Sequence, residues 1–115
     1  MLMGRVVGTV VSTQKDEGMR GFNLLVVQNV DVNMKLMNSY TVACDAVGAG
    51  PNELVIVVQG SSARLTGQTT NKPVDAAIVC IVDSVEVDGK QVYSKSEGRE
   101  ARPIEMLQGG RAVNA

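Results

Sequence analysis

Two short glycine-containing stretches near the middle of the chain have residue types that could do chemistry. Gly48-Ala49-Gly50 has the spacing with which a dinucleotide-binding fingerprint begins. Gly60-Ser61-Ser62-Ala63-Arg64 combines small residues, which leave backbone N–H groups accessible, with a permanent cation. The first stretch is therefore tested as a phosphate site, and the second as a nucleophile turn or an anion site.

The sequence after Gly50 argues against a dinucleotide site. A fingerprint of this kind needs a strand that turns directly into a helix, because the helix N-terminus holds the pyrophosphate. Here Gly50 is followed by Pro51, Asn52 and the strand-like run "ELVIVVQ". We therefore predict that the glycines permit a turn between two strands.

The serines at positions 61 and 62 have no obvious activating base. The chain contains no histidine, which is the usual partner of a catalytic serine, and no lysine stands close in sequence. We predict instead a tight loop packed against another subunit, with Arg64 in an ion pair or hydrogen-bonded to carbonyl groups.

Four carboxylates lie at predicted strand ends and are the remaining candidates for acid–base chemistry or for binding a hard cation. Carboxylates in such positions are more typical of caps and solvated turns. We therefore predict no catalytic residue, no metal ligand and no cofactor. The four carboxylates are Asp45, Glu53, Asp75 and Asp83.

Composition narrows the possible functions further. The 115 residues suit one domain, and 44% hydrophobic residues with 20% charged residues are typical of a chain that folds. The net charge of −1 and an aromatic content of 3% do not favour nucleic-acid binding. No apolar run approaches the roughly 20 residues that span a bilayer, so we expect a cytoplasmic protein with no membrane partner.

The two cysteines, Cys44 and Cys80, each lie in an apolar run rich in β-branched residues. Both are predicted to be buried, reduced thiols. A disulfide between them would require the two strands to pair in the right register.

The elements that position these residues are predicted to be strands, because Val, Ile and Thr fill short apolar runs separated by turn residues. Gly8 indicates a bulge, the fourth strand is apolar enough to be buried on both faces, and Asp88-Gly89 indicates a hairpin. Residues 33–39 are assigned to a Met-containing surface loop, and one helical turn is predicted at Pro73. The six predicted strands are residues 4–13, 23–32, 40–47, 53–59, about 78–87, and 90–94.

These elements predict an all-β fold, a small five- to six-stranded Greek-key (OB-like) β-barrel with one short helical turn. Residues 1–94 form the barrel domain. Residues 95–115 are a polar C-terminal tail, which is either mobile or held by a partner.

The ordered series of motifs resembles the vertex protein family of bacterial microcompartments, the small shell proteins of carboxysomes and metabolosomes. The motifs are "GRVVGTVVSTQK", "LLVVQ", "DAVGAGPNELVIVVQGSSAR" and "KPVDAAIVCIVDSV", and the resemblance covers about residues 1 to 95. It implies a small β-barrel with a short helix, and a pentamer that closes the corners of a polyhedral shell.

The resemblance also implies roles for individual residues. It places two signature loops, with the neighbouring Glu53, at subunit contacts or around the fivefold axis, and it places a short helical turn before the fifth strand. Two departures are Leu54, where the family often has Trp, and Cys80, where it often has Gly. The contact residues so implied are Asp45, Gly48, Ala49, Gly50, Glu53, Gly60, Ser61, Ser62, Ala63 and Arg64. The helical-turn residues are Pro73, Asp75 and Ala76.

The function that we predict from the resemblance is structural: a homopentamer in the cytoplasm that caps the vertex of a microcompartment shell and contacts hexagonal shell proteins. Another possibility is an OB-like barrel that binds single-stranded nucleic acid or a small ligand, although exposed aromatics and a basic groove are missing. A third possibility is an enzyme whose active site is shared between subunits, with carboxylates and Arg64 supplying the chemistry.

Overall fold

The computed structural model describes residues 1–95, so the predicted polar tail lies outside the described residues except for Lys95. Within this range, no helix is long and apolar enough to cross a membrane. The described chain contains seven β-strands and two short 3-10 turns. The strands are β1 (Leu2–Val10), β2 (Leu24–Val30), β3 (Leu36–Asp45), β4 (Leu54–Gln59), β5 (Ala76–Ile81), β6 (Ser84–Val87) and β7 (Lys90–Ser94). The 3-10 turns are Glu17–Met19 and Gly60–Arg64.

Five strands close into a barrel in the order β1-β2-β3-β5-β4. All neighbouring pairs are antiparallel except β3 and β5, which run parallel and share only the pairs Cys44↔Ala77 and Asp45↔Ile78. Strands β6 and β7 form a separate two-stranded sheet. The predicted all-β barrel is confirmed.

The barrel interior is filled by alternating β-branched and small residues, as expected when every second side chain of a strand points inward. Each large aliphatic side chain buried in this way contributes about 1.5–3 kcal/mol. The buried residues of this cluster are Val6, Leu25, Val27, Ala43, Val55, Val57, Ala76 and Ile78.

Strand β4 contacts a different cluster on each side. Val55 and Val57 lie in the barrel interior, Leu54 packs with Tyr93 of the β6–β7 hairpin, and Val58 packs against a third cluster around Ala63. The prediction that this strand is buried on both faces is confirmed, and it explains why the strand has no alternating polar residues.

The bulge predicted at Gly8 is present, because the register of β1 against β2 shifts between Val6 and Gly8. The hairpin predicted at Asp88-Gly89 is also confirmed. Both residues have positive φ angles, 53° and 77°, as a two-residue turn requires.

The single predicted strand at 78–87 is two strands, which corrects the sequence assignment. β5 ends at Ile81, where its pairing with β4 ends, and β6 starts at Ser84 in the other sheet. Backbone hydrogen bonds hold the corner: Val82 N–H donates to the Leu54 carbonyl at 2.8 Å, and Lys95 N–H donates to the Asp83 carbonyl at 2.8 Å.

The surface loop predicted at residues 33–39 is partly wrong, because β3 begins at Leu36. Tertiary pairing with β2 overrides the polar local sequence. Side chains of β2 also bind this segment: Gln28 Nε2 donates to the Met37 carbonyl at 3.0 Å, and Asn29 Nδ2 donates to Ser39 Oγ at 2.9 Å.

The helical turn predicted at Pro73, Asp75 and Ala76 is not there. Pro73 and Asp75 lie in bends, and Ala76 is the first residue of β5, paired with Gln59. The Asp75 carbonyl accepts a hydrogen bond from the Gly60 N–H at 2.8 Å, which keeps this segment extended beside β4.

The prediction for the cysteines is confirmed for Cys44 and wrong for Cys80. Cys44 is buried and Cys80 is exposed, and both are free thiols. Burial, and then the nearby Asp75 carboxylate, raise the pKa of the Cys44 thiol. By strict alternation Cys80 would face the same side as Ile78, but the register of β5 against β4 shifts between Ile56 and Val57. Ile78 therefore pairs with the inward-facing Val57, whereas Cys80 pairs with Ile56 and is turned to the outside.

Candidate subunit-contact loops and the barrel cleft

The loop that contains Gly48 is organised by the carboxylate of Asp45. Asp45 Oδ1 accepts hydrogen bonds from the backbone N–H groups of Val47, at 3.1 Å, and Gly48, at 3.0 Å. Gly48 has a φ of 81°, a conformation that favours glycine. Asp45 is therefore a turn cap, and this use of its carboxylate explains its place at the strand end.

The end of the same loop is held by Glu53. Its Oε1 accepts the backbone N–H of Gly50, and its Oε2 lies 2.6 Å from Lys95 Nζ. Hydrogen bonding to Lys95, and then to the backbone of Gly50, holds the pKa of Glu53 below its usual value, although burial opposes this shift. Glu53 thus links the loop to the end of the described chain.

The Gly60–Arg64 loop is a 3-10 turn whose polar and apolar residues point to different sides. Ser61 and Ser62 are exposed, whereas Ala63 is fully buried and packs in the third cluster. The buried Thr69 hydroxyl donates to the Ala63 carbonyl at 2.6 Å and ties the turn to the loop that follows. This third cluster consists of the buried residues Cys44, Ala63, Val74 and Ala77.

Arg64 has a carbonyl acceptor within its own chain. Its Nη1 donates to the Val74 carbonyl at 3.1 Å, across the loop that leads to β5. The guanidinium group has five N–H donors, so this bond leaves most of its donor capacity for other partners.

The two signature loops do not meet within one chain. Gly50 precedes β4 and Gly60 follows it, and the six residues of Leu54–Gln59 separate the two ends by about 20 Å at ~3.3 Å per residue. A shared active site built from both loops of one chain is therefore excluded by distance.

Two of the four strand-end carboxylates, those of Asp45 and Glu53, have structural partners. Asp45 caps a turn and Glu53 pairs with Lys95. Asp75 and Asp83 accept backbone hydrogen bonds through their carbonyl groups. Among residues 1–95, no group of three or more His, Cys, Asp or Glu side chains is arranged to hold a metal ion.

A cleft of about 690 Å³ beside β1 is a feature that sequence reasoning missed. One wall is the second half of β1 with the start of β2, and the other is the turn at residues 49–52. Val7, Val10 and Val11 line it and are 38%, 39% and 87% exposed. The available signal was the two apolar pairs Val6-Val7 and Val10-Val11, which interrupt the alternation that a half-buried strand should show.

Taken together, the fold and the loops define a small closed β-barrel protein whose conspicuous loops are held by backbone hydrogen bonds. Residues 1–83 match the family model described as ethanolamine utilisation protein EutN/carboxysome. The chain belongs to this family, and the resemblance noted in its sequence is confirmed.

Relatives in this family match nearly over their full length. The chain is 46% identical over 98 residues to the carboxysome shell vertex protein CcmL of Nostoc sp., which covers 84% of this chain and 97% of that protein. The structure of Gloeobacter violaceus CcmL superposes with a TM-score of 0.81 at 44% identity, covering 84% of this chain and 99% of that one. The GrpN pentameric microcompartment shell protein from Rhodospirillum rubrum gives a TM-score of 0.69 at 48% identity, and the match covers 76% of this chain and 100% of that chain.

Proposed function

We propose that this chain is a structural protein of a bacterial microcompartment shell, and that five copies form a ring that caps a vertex. The observation that carries this proposal is the 46% identity to a shell vertex protein over 97% of that protein's length. The likeness to a pentameric shell protein at a TM-score of 0.69 supports the ring of five.

The mechanism is geometric. A flat sheet of hexagonal units cannot close on itself, and pentagonal units supply the curvature that seals a polyhedron. A ring of identical chains requires a heterologous contact, in which one surface of a copy meets a different surface of the next and the rotation closes after five. The partners that we propose are four further copies of this chain and hexagonal shell proteins, in a shell in the cytoplasm.

The residues that the structure describes support a role without catalysis. The exposed serines of the 3-10 turn belong to a chain without histidine, and two of the four strand-end carboxylates are engaged, Asp45 as a turn cap and Glu53 in an ion pair. Nucleic-acid binding is also poorly supported, because Tyr93 is buried and Tyr40 is the single tyrosine left at the surface. A single exposed tyrosine side chain cannot stack a series of nucleic-acid bases.

The two signature loops remain our proposed contact residues. A Cβ atom built at Gly48 or at Gly60 meets nothing within 4 Å, so both backbones face open space in the single chain. A neighbouring backbone can approach closely at such positions.

Native mass spectrometry of the purified full chain tests the ring. The expected mass is about 61 kDa, five times the chain mass of 12.2 kDa. A stable monomer or dimer at micromolar concentration contradicts the proposal, and binding of single-stranded DNA that weakens with salt would favour the OB-like alternative.

Arg64→Ala tests the contact role of the second loop. We expect the variant to form a weaker pentamer while its barrel stays folded. Arg64 is exposed, so the substitution removes only one hydrogen bond within the chain, the bond to the Val74 carbonyl. Lys90→Ala, which removes an exposed cation from the β6–β7 hairpin, is the matched control. An unchanged oligomer mass for Arg64→Ala at every concentration would show that Arg64 is not a contact residue.

A further inference from the structure

Strand β3 has a long free edge. It pairs with β5 only at Cys44 and Asp45, so along residues 36–43 this edge has no partner strand within the described chain. Three exposed side chains along it are apolar, Met37 at 47%, Tyr40 at 58% and Val42 at 50%, while the exposed Asn38 and Ser39 between them are polar. Exposed apolar edges of this kind are templates for pairing with another strand.

Strand β1 has a second free edge. It pairs with β4 over Leu2–Arg5, and two further bonds, Val6 N–H to the Glu53 carbonyl and Asn52 N–H to the Val6 carbonyl, extend the contact by one residue. From Val7 to Val10, β1 keeps β2 on one side, and its other side borders the cleft. The cleft thus lies beside a half-strand that has one unpaired edge.

These two edges have the relation that a ring requires. They belong to different strands on either side of β2, so a contact between them is heterologous and does not place two copies about a twofold axis. The far wall of the cleft includes Ala49 and Gly50, which belong to the first proposed contact loop. The cleft is therefore continuous with the surface already assigned to subunit contact.

We propose that the free edge of β3 in one copy pairs with the free half of β1 in the next copy, and that Tyr40 and Val42 cover the cleft. This inference rests on the proposed pentamer and specifies which two surfaces form it. Main-chain hydrogen bonds between the edges give affinity, and burial of the exposed valines and the tyrosine adds the apolar contribution. Five such contacts continue the sheet around the ring.

Charged substitutions on each edge test the two surfaces separately. Tyr40→Lys and Val42→Lys alter β3, and Val10→Lys alters the cleft; all three side chains are exposed, so the barrel should keep its circular dichroism spectrum. We expect each variant to raise the dissociation constant of the pentamer by at least about tenfold, because an unpaired charge would be buried in the contact. Val32→Lys is the control, since Val32 is 59% exposed, lies on neither edge and belongs to neither contact loop.

Cysteine cross-linking tests the pairing itself. In a Cys80→Ser background, one chain carries Tyr40→Cys and a co-expressed chain carries Val10→Cys, while the buried Cys44 is retained. A short bis-maleimide should give covalent dimers from the mixture, and neither chain alone should give them. Dimers formed by the Tyr40→Cys chain alone would indicate a twofold contact between β3 strands and overturn the proposal.

The outcomes separate this inference from the proposed function. If the unmodified chain is a pentamer and the three lysine variants keep its mass and affinity, the inference is wrong and the pentamer stands. If the unmodified chain is a stable monomer, both are wrong.

Discussion

Gly4 lies on β1 at a point where the neighbouring β2 leaves no room for a side chain. A Cβ atom at this position would lie less than 3 Å from Val27 Cγ1 and 2.6 Å from the Gln28 carbonyl oxygen. We expect Gly4→Ala to lower the free energy of unfolding by about 1–3 kcal/mol, the usual cost of overpacking a core. Chemical denaturation measures this. Gly8→Ala is the control, because its Cβ would meet Val26 at an ordinary 3.8 Å, and equal stability of the two variants would contradict the argument.

Glu53 should make stability depend on pH. Because its folded-state pKa lies below the ordinary value of 4.5, the carboxylate stabilises the fold above that pH, and the contribution is lost as pH falls through the folded pKa. We expect Glu53→Gln to remove this part of the acid-induced loss of stability, measured by denaturation between about pH 6 and pH 3.

The matched control for Glu53→Gln is Glu86→Gln. It makes the same charge change at an exposed position on β6. A pH profile of Glu53→Gln that overlays the profile of the unmodified chain would show that the ion pair with Lys95 does not stabilise the folded state in solution.

Single residues could be predicted where a local rule applies. Gly8, Asp88 and Gly89 follow rules for bulges and turns, and the structure agrees. Lys95 was assigned to the tail because its partner Glu53 lies 42 positions away in the sequence, and a pair so distant has no local signal. Cys80 was misassigned because the register shift that turns it outward depends on how β5 pairs with β4, and such a shift has no local signal.

At the scale of elements, the loop between β4 and β5 depends on Thr69. Its fully buried hydroxyl donates to the Ala63 carbonyl and accepts the Thr66 N–H at 3.2 Å. Thr69→Val keeps the shape of the side chain but leaves the Ala63 carbonyl and the Thr66 N–H without their partner. We therefore expect the free energy of unfolding to fall by about 1–3 kcal/mol. Thermal and urea denaturation measure this loss.

Thr70→Val is the control for this loop. Thr70 also donates to a carbonyl, that of Thr66, but it is exposed, and water can replace its bond. We expect a change within about 0.5 kcal/mol. Comparable losses for the two variants would show that burial of the Thr69 hydroxyl is not the source of its effect.

Strand positions in the barrel could be predicted where apolar residues are dense, as in β4. The start of β3 could not, because residues 36–39 become a strand through pairing with β2 and not through their own propensity. The helical turn was predicted at Pro73 from a rule for helix starts. The two 3-10 turns lie instead at Glu17–Met19 and at Gly60–Arg64, where Gly60 has a φ of 68°.

At the scale of the whole molecule, the domain boundary that we propose can be tested by a pair of truncations. A chain ending at Lys95 keeps the Glu53 ion pair and the backbone bond to the Asp83 carbonyl, whereas a chain ending at Ser94 loses both. We expect the chain ending at Lys95 to have the same melting temperature as the full chain, and the chain ending at Ser94 to melt a few degrees lower. A large destabilisation of the longer fragment would place part of the folded domain beyond residue 95.

The overall fold was predictable because many short strands, one strand buried on both faces and the turn signals all agree on a small barrel. The cleft and the free edges were not predictable in this way. They arise where pairing stops, at Arg5 in β1 and before Cys44 in β3, and the end of a pairing depends on how the other strands close the barrel.

The parallel seam between β3 and β5 also sets the order of events during synthesis. Strands β1, β2 and β3 are complete once residue 45 has left the ribosome, but the barrel closes only after β5, ending at Ile81, has emerged. At roughly 5–20 residues per second this interval lasts a few seconds. Several chains that are being made on one messenger RNA therefore carry free strand edges before any of their barrels has closed. The pairing of β3 with β5 determines when each chain becomes a folded subunit that can assemble.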